Sequence, residues 1–84
     1  EGRLRAHRLR MEAEELAQNS LYAQALDTLV EALRFDAEDP FIHNDLGVVL
    51  YAMGEHEKAR ESLDRALALA PGLQEAEENL WALK

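Results

Sequence analysis

The chain has no cysteine, only four glycines and only two prolines in 84 residues. Without cysteine there is no disulfide framework, no thiolate zinc site and no cysteine nucleophile. Reduced and oxidising compartments both tolerate such a chain. The glycines are scattered, so no Gly-rich phosphate loop exists. Aromatic residues make up 6%, and Thr28, Val30, Ile42, Val48 and Val49 are the only β-branched residues. That scarcity excludes an all-β domain and argues against a Rossmann-type sheet. No apolar run approaches the roughly 20 residues of a membrane span, so direct membrane insertion is not expected. No signal-peptide pattern opens the chain, and a first residue Glu1 in place of Met points to a piece of a longer protein.

What the chain has in quantity is Leu and Ala, together 29 of 84 positions. A hydrophobic fraction of 48% beside 31% charged residues can build a core. The length allows one small domain, which buries only about 60–65% of its unfolded surface. Large clefts are hard to build at that size, which disfavours a self-contained enzyme. The net charge of −8 is uneven. Residues 1–10 hold Arg3, Arg5, Arg8 and Arg10 against Glu1, whereas residues 11–84 hold 16 acids and 5 bases. A field of that sign repels a phosphate backbone, so nucleic acid is not an expected partner. At 100° per residue the four arginines do not form one stripe. Arg8 is placed to reach Glu12, and Arg10 to reach Glu14, one helical turn on.

The pattern predicts five helices, over about 3–18, 21–35, 40–53, 55–70 and from 73 to the end. Asn19 suits the left-handed position after the first helix. Asp39 suits an N-cap and Pro40 the first turn behind it. Gly54 and the Pro71-Gly72 pair break the chain again. Turns this short make sequence neighbours pack antiparallel.

Sliding the chain by 34 residues places Leu16 on Leu50, Ala25 on Ala59, Leu29 on Leu63, Ala32 on Ala66, Leu33 on Leu67 and Leu46 on Leu80. The helix breaks coincide as well, Ser20 with Gly54 and Ala37 with Pro71. Stacked units keep their packing positions and let the outer ones drift, which is the expectation for a solenoid. Small residues mark the closest helix approaches, and Gly47→Leu is expected to unfold the domain.

In these positions the chain resembles the tetratricopeptide repeat family. Leu46-Gly47, Leu50, Gly54, Ala59, Leu63, Ala66 and Pro71 follow that family's spacing, and Ala13, Leu16, Tyr22, Ala25, Leu29 and Ala32 repeat it upstream. Glu12 stands where Leu is usual, His43 where an aromatic is usual, Ala37 where Pro closes the unit and Trp81 where a small residue is usual. The resemblance implies an all-α, right-handed helix-turn-helix solenoid. Its units would be residues 6–39 and 40–73, followed by a capping helix over 74–84.

No catalytic, cofactor or metal residues are expected. His7, His43 and His56 do not converge, His43 and Asp45 diverge on one helix, and no hydroxyl sits in a nucleophile elbow. The resemblance instead implies a non-catalytic module that binds a protein or peptide on the concave face lined by first helices. The groove residues would be His7, Arg10, Glu14 and Gln18 from the first unit. Phe41, Asn44, Val48 and Tyr51 would come from the second, and Glu75, Glu78 and Ala82 from the last helix. Arg10 and Asn44 only loosely match the clamp with which chaperone-binding family members hold a C-terminal carboxylate. Glu14, Glu75 and Glu78 oppose such an anion, and a mixed or basic peptide fits better on charge. The alternative is a structural or self-association element, a weak homodimer through the solenoid ends and Trp81.

Overall fold

A computed structural model describes residues 1–83 as five helices: α1 (Gly2–Gln18), α2 (Tyr22–Phe35), α3 (Pro40–Ala52), α4 (His56–Leu69) and α5 (Gln74–Ala82). No strand occurs among the described residues. The helix ends fall within one residue or so of the sequence reading. The last stretch of the expected tail helix falls on Lys84, outside the described residues.

The turns follow from local chemistry. After α1 the left-handed residue is Ser20, with φ of 62°, and Asn19 stays at φ −92°. Asn19 was the expected left-handed residue; its side chain instead donates back to the Glu15 carbonyl at 3.2 Å. Leu21 N then donates to Leu16 O at 2.9 Å. The equivalent turn after α3 has Gly54 at φ 84° and Glu55 N donating to Leu50 O at 2.9 Å. Both are Schellman closures, which satisfy carbonyls left open at a helix end. At the start of α3 the Asp39 carboxylate accepts from Phe41 N at 2.8 Å, with Pro40 behind it in the first turn. Along α1 the Arg10–Glu14 pair forms, but no ion pair joins Arg8 to Glu12 among the described residues. Both partners there point into water, where such a pair holds little energy.

Consecutive helices pack on one another, and α3 also touches α1 on one side and α5 on the other. No contact joins α1 or α2 to α4 or α5, so the chain is a progressing stack and not a closed bundle. The alanines at 6, 13, 25, 32, 59, 66 and 76 are all buried. One core unites α1, α2 and α3 around Leu29, Ile42 and Leu46; a second unites α4 and α5 around Leu63, Ala66 and Ala76. Gly47 sits against α4, where an added Cβ would lie 2.6 Å from Leu63 Cγ. Helices come this close only where one side lacks a side chain. Trp81, at the position corresponding to Gly47, is 73% exposed on α5.

Candidate binding groove

The side-by-side run of α1, α3 and α5 produces one continuous face. Arg10 on α1 organises its first half. Its guanidinium donates to Glu14 at 2.8 Å, lies 3.5 Å from Asp45 of α3 and stacks 5.5 Å from the centre of the Phe41 ring. Beside this cluster lies a cavity of about 200 Å³ lined by Ala13, Glu14, Ala17, Gln18, Leu29, Asp45, Val48 and Val49. Its floor is apolar, and its two carboxylates come from facing helices.

Burial pushes the Asp45 carboxyl up from its ordinary value to about 7, and a hydrogen bond to Glu14 and repulsion from its charge push the same way. Arg10 opposes the rise only in part. The cluster therefore holds two carboxyl groups and one guanidinium, and Asp45 is the member that takes up a proton near neutrality.

On the other side of α3, a smaller cavity of about 120 Å³ is lined by Gly47, Val48, Tyr51, Leu63, Asn79, Ala82 and Leu83. Val48 is common to both cavities and forms the ridge between them. Phe41, Val48 and Tyr51 are 43–45% exposed along that ridge. Tyr51 stacks on His56 with ring centres 4.9 Å apart, which holds the phenol ring at the groove edge.

Of the residues expected in the groove, Arg10, Glu14, Gln18, Phe41, Val48 and Tyr51 lie together on this face, and Ala82 lines the second cavity. Asn44 does not offer itself to a ligand: it is 5% exposed and its Oδ1 accepts from Asn79 Nδ2 at 3.0 Å. It joins α3 to α5. His7 is exposed three residues before Arg10, without a hydrogen bond or ion pair. Glu75 is exposed on α5, and Glu78 accepts from Gln74 at 3.0 Å. Asp45 was missed as a groove residue. A signal was available: Arg10–Asp45 and Asn44–Asn79 both span 35 residues. Arg10 and Asn44 are thus equivalent under the 34-residue repeat, as are Asp45 and Asn79. Each first helix reaches the next by the same polar step.

Histidine serves structure elsewhere. His43 Nε2 donates to the Ala37 carbonyl at 2.9 Å, bracing the turn into α3. Among the described residues no group of three His, Asp or Glu side chains is placed to hold a metal ion. No helix is long and apolar enough to cross a membrane.

Residues 40–73 match the tetratricopeptide repeat family model. No curated protein sequence matches the chain. Among 19 solved chains that do match is the crystal structure of MamA, with a TM-score of 0.87 and 23% identity over 93% of this chain. The chain spans 46% of the length of that protein. The fold is therefore an all-α helical repeat, and α3 and α4 form the one repeat that matches the tetratricopeptide model. Such repeats generally mediate protein–protein interaction and are generally non-catalytic scaffolds.

Proposed function

We propose that this chain is a non-catalytic interaction module that takes a peptide or protein segment on the face formed by α1, α3 and α5. One observation carries the reading. Two cavities meet at Val48, and Phe41, Val48 and Tyr51, three of the large apolar side chains this domain exposes, stand in one row along the ridge between those cavities. Contiguous apolar surface rimmed by charge marks an interaction site. The two cavities are small and open to solvent, which supports binding over catalysis at this face.

The test is selection of displayed peptides on the wild-type chain, followed by binding to a Val48→Glu/Tyr51→Ala variant. Both positions are exposed, so folding should survive, as checked by the helical circular dichroism signal. Selected peptides should lose most of their affinity for the variant. Equal binding by both chains would remove the groove from the proposal.

A second reading is favoured by the 73% exposure of the Trp81 indole at the end of the stack. In it, copies of the chain associate through that end. Sedimentation across a concentration series, repeated with Trp81→Ala, decides it: association abolished by the substitution supports an end-to-end contact, and a monomer throughout eliminates it.

A further inference from the structure

We infer that the groove recognises a basic partner segment carrying one lysine or arginine and, three residues away, one large apolar side chain. The cation enters the α1/α3 cavity between Glu14 and Asp45, and the apolar side chain enters the α3/α5 cavity beside Tyr51. This rests on the interaction-module reading and names the chemistry of its ligand.

Charge complementarity points to the cation. The first cavity has an apolar floor of Ala13, Ala17 and Leu29, matched to the methylenes of a lysine or arginine stem. At its rim two carboxylates share the single guanidinium of Arg10. Arg10 is committed to Glu14 at 2.8 Å and to the Phe41 ring, and reaches Asp45 only at 3.5 Å. Asp45 therefore has unused acceptor capacity facing the cavity, and with Asp45 ionised the rim is short of one positive charge. The chain as a whole carries a net charge of −8, which favours the approach of a basic segment.

Spacing follows from the helix between the cavities. They lie on opposite sides of α3, meeting at Val48. A helix with its side chains is about 10 Å across, and a peptide in the polyproline II conformation advances about 3.1 Å per residue and returns to the same side every third residue. Two anchors three residues apart therefore straddle α3. The second cavity, between Leu63, Leu83 and Tyr51, has almost no polar surface and suits leucine.

Binding of the cation is linked to protons. Arg10 and Glu14 from α1 are the charged groups that bear on Asp45, while α2 presents Leu29 to the cavity. A ligand cation favours the ionised form of Asp45, so association below neutrality must first expel a proton. Affinity rises with pH, by about tenfold between pH 6 and pH 8 for a carboxyl titrating near 7.

The experiment is an NMR titration of the ¹⁵N-labelled chain with short synthetic peptides of Ala, Ser and Gly. One carries Lys and Leu three residues apart. In others Lys becomes Ala or Glu, or the spacing is cut to one residue. Amides of α1, α3 and α5 around Glu14, Asp45 and Val48 should shift with the first peptide. Replacing Lys by Ala should weaken binding roughly 10- to 100-fold, the range for a charge-assisted contact. Asp45→Asn and, separately, Glu14→Gln chains should bind the Lys and Ala peptides nearly alike, and in Asp45→Asn the pH dependence should be gone. Each variant's melting temperature confirms folding. Equal binding of Lys and Ala peptides, tighter binding of the Glu peptide, or a lysine preference surviving in both variants overturns the inference while leaving the module standing. If no displayed peptide of any charge moves these amides, the module reading falls too, and that outcome is distinct.

Discussion

Gly47→Ala adds one methyl group at the closest approach of α3 and α4. The new Cβ would lie 2.6 Å from Leu63 Cγ, 2.7 Å from Leu63 Cδ2 and 3.2 Å from the Ala59 carbonyl oxygen. Leu63 is fully buried, and the clash falls on its branch carbon as well as on one methyl end. Neither that carbon nor a backbone oxygen can swing aside, so α3 and α4 must separate by several tenths of an ångström. Overpacking of this kind costs about 1–3 kcal/mol, here near the upper end. Alanine returns about 1 kcal/mol through its better helix propensity. The net loss is about 2 kcal/mol, and at 4–8 °C per kcal/mol for a domain of this size the melting temperature falls by roughly 10 °C. Thermal and urea unfolding followed by circular dichroism measures it. Gly72→Ala is the control, since nothing lies within 4 Å of a Cβ there. A Leu63→Ala background removes the obstacle, and in it Gly47→Ala should become neutral or stabilising by up to about 1 kcal/mol. A Gly47→Ala chain melting at or above wild type, or the same loss in both backgrounds, would refute the claim that absence of a side chain at 47 sets the α3–α4 distance.

Three further outcomes follow from single contacts. Ser20 holds φ of 62° where the equivalent residue is Gly54, so Ser20→Gly should stabilise the chain by about 0.5–1 kcal/mol in urea unfolding. Asn79→Ala leaves Asn44 Oδ1 buried without its donor and should cost about 1–2 kcal/mol, with faster amide exchange concentrated in α5. Asp45 is raised in the folded state to about 7 from an ordinary 3.8, so folding takes up a proton between those values. Its contribution to stability is present below about pH 4 and is lost as pH rises through 7. Asp45→Asn should therefore stabilise the chain at pH 8, by about 1–2 kcal/mol after allowance for solvent screening, and have little effect at pH 4. A pH 8 melting temperature lowered by the substitution would contradict the burial cause.

The helices were legible because their signals are local. Asp39-Pro40, Gly54 and Pro71-Gly72 punctuate the chain whatever packs around it, and Leu and Ala at three- and four-residue steps mark the inner faces. The left-handed turn residue was misplaced by one position, to Asn19. Asparagine tolerates that conformation well, but the six-residue bond from Leu21 to Leu16 places Ser20 there. The groove was legible in part. Arg10, Glu14, Phe41, Val48 and Tyr51 project from one side of their helices and needed only helical periodicity. Asn44 lies among them in register, yet α5 covers it, and only the docking of α5 turns an expected groove residue into an interhelical link.

By itself the sequence determined the punctuation, the 34-residue repeat and the positions where small side chains let helices nest, because each depends on backbone preference or side-chain volume at one site. Tertiary structure alone decided the stagger between successive first helices, which pairs residue 10 with 45 and residue 44 with 79. From that stagger come the facing carboxylates, the raised Asp45 and the two cavities astride α3. The reason is that an ionisable group's behaviour depends on its distance from other charges and from water, and both are set by how separate helices dock.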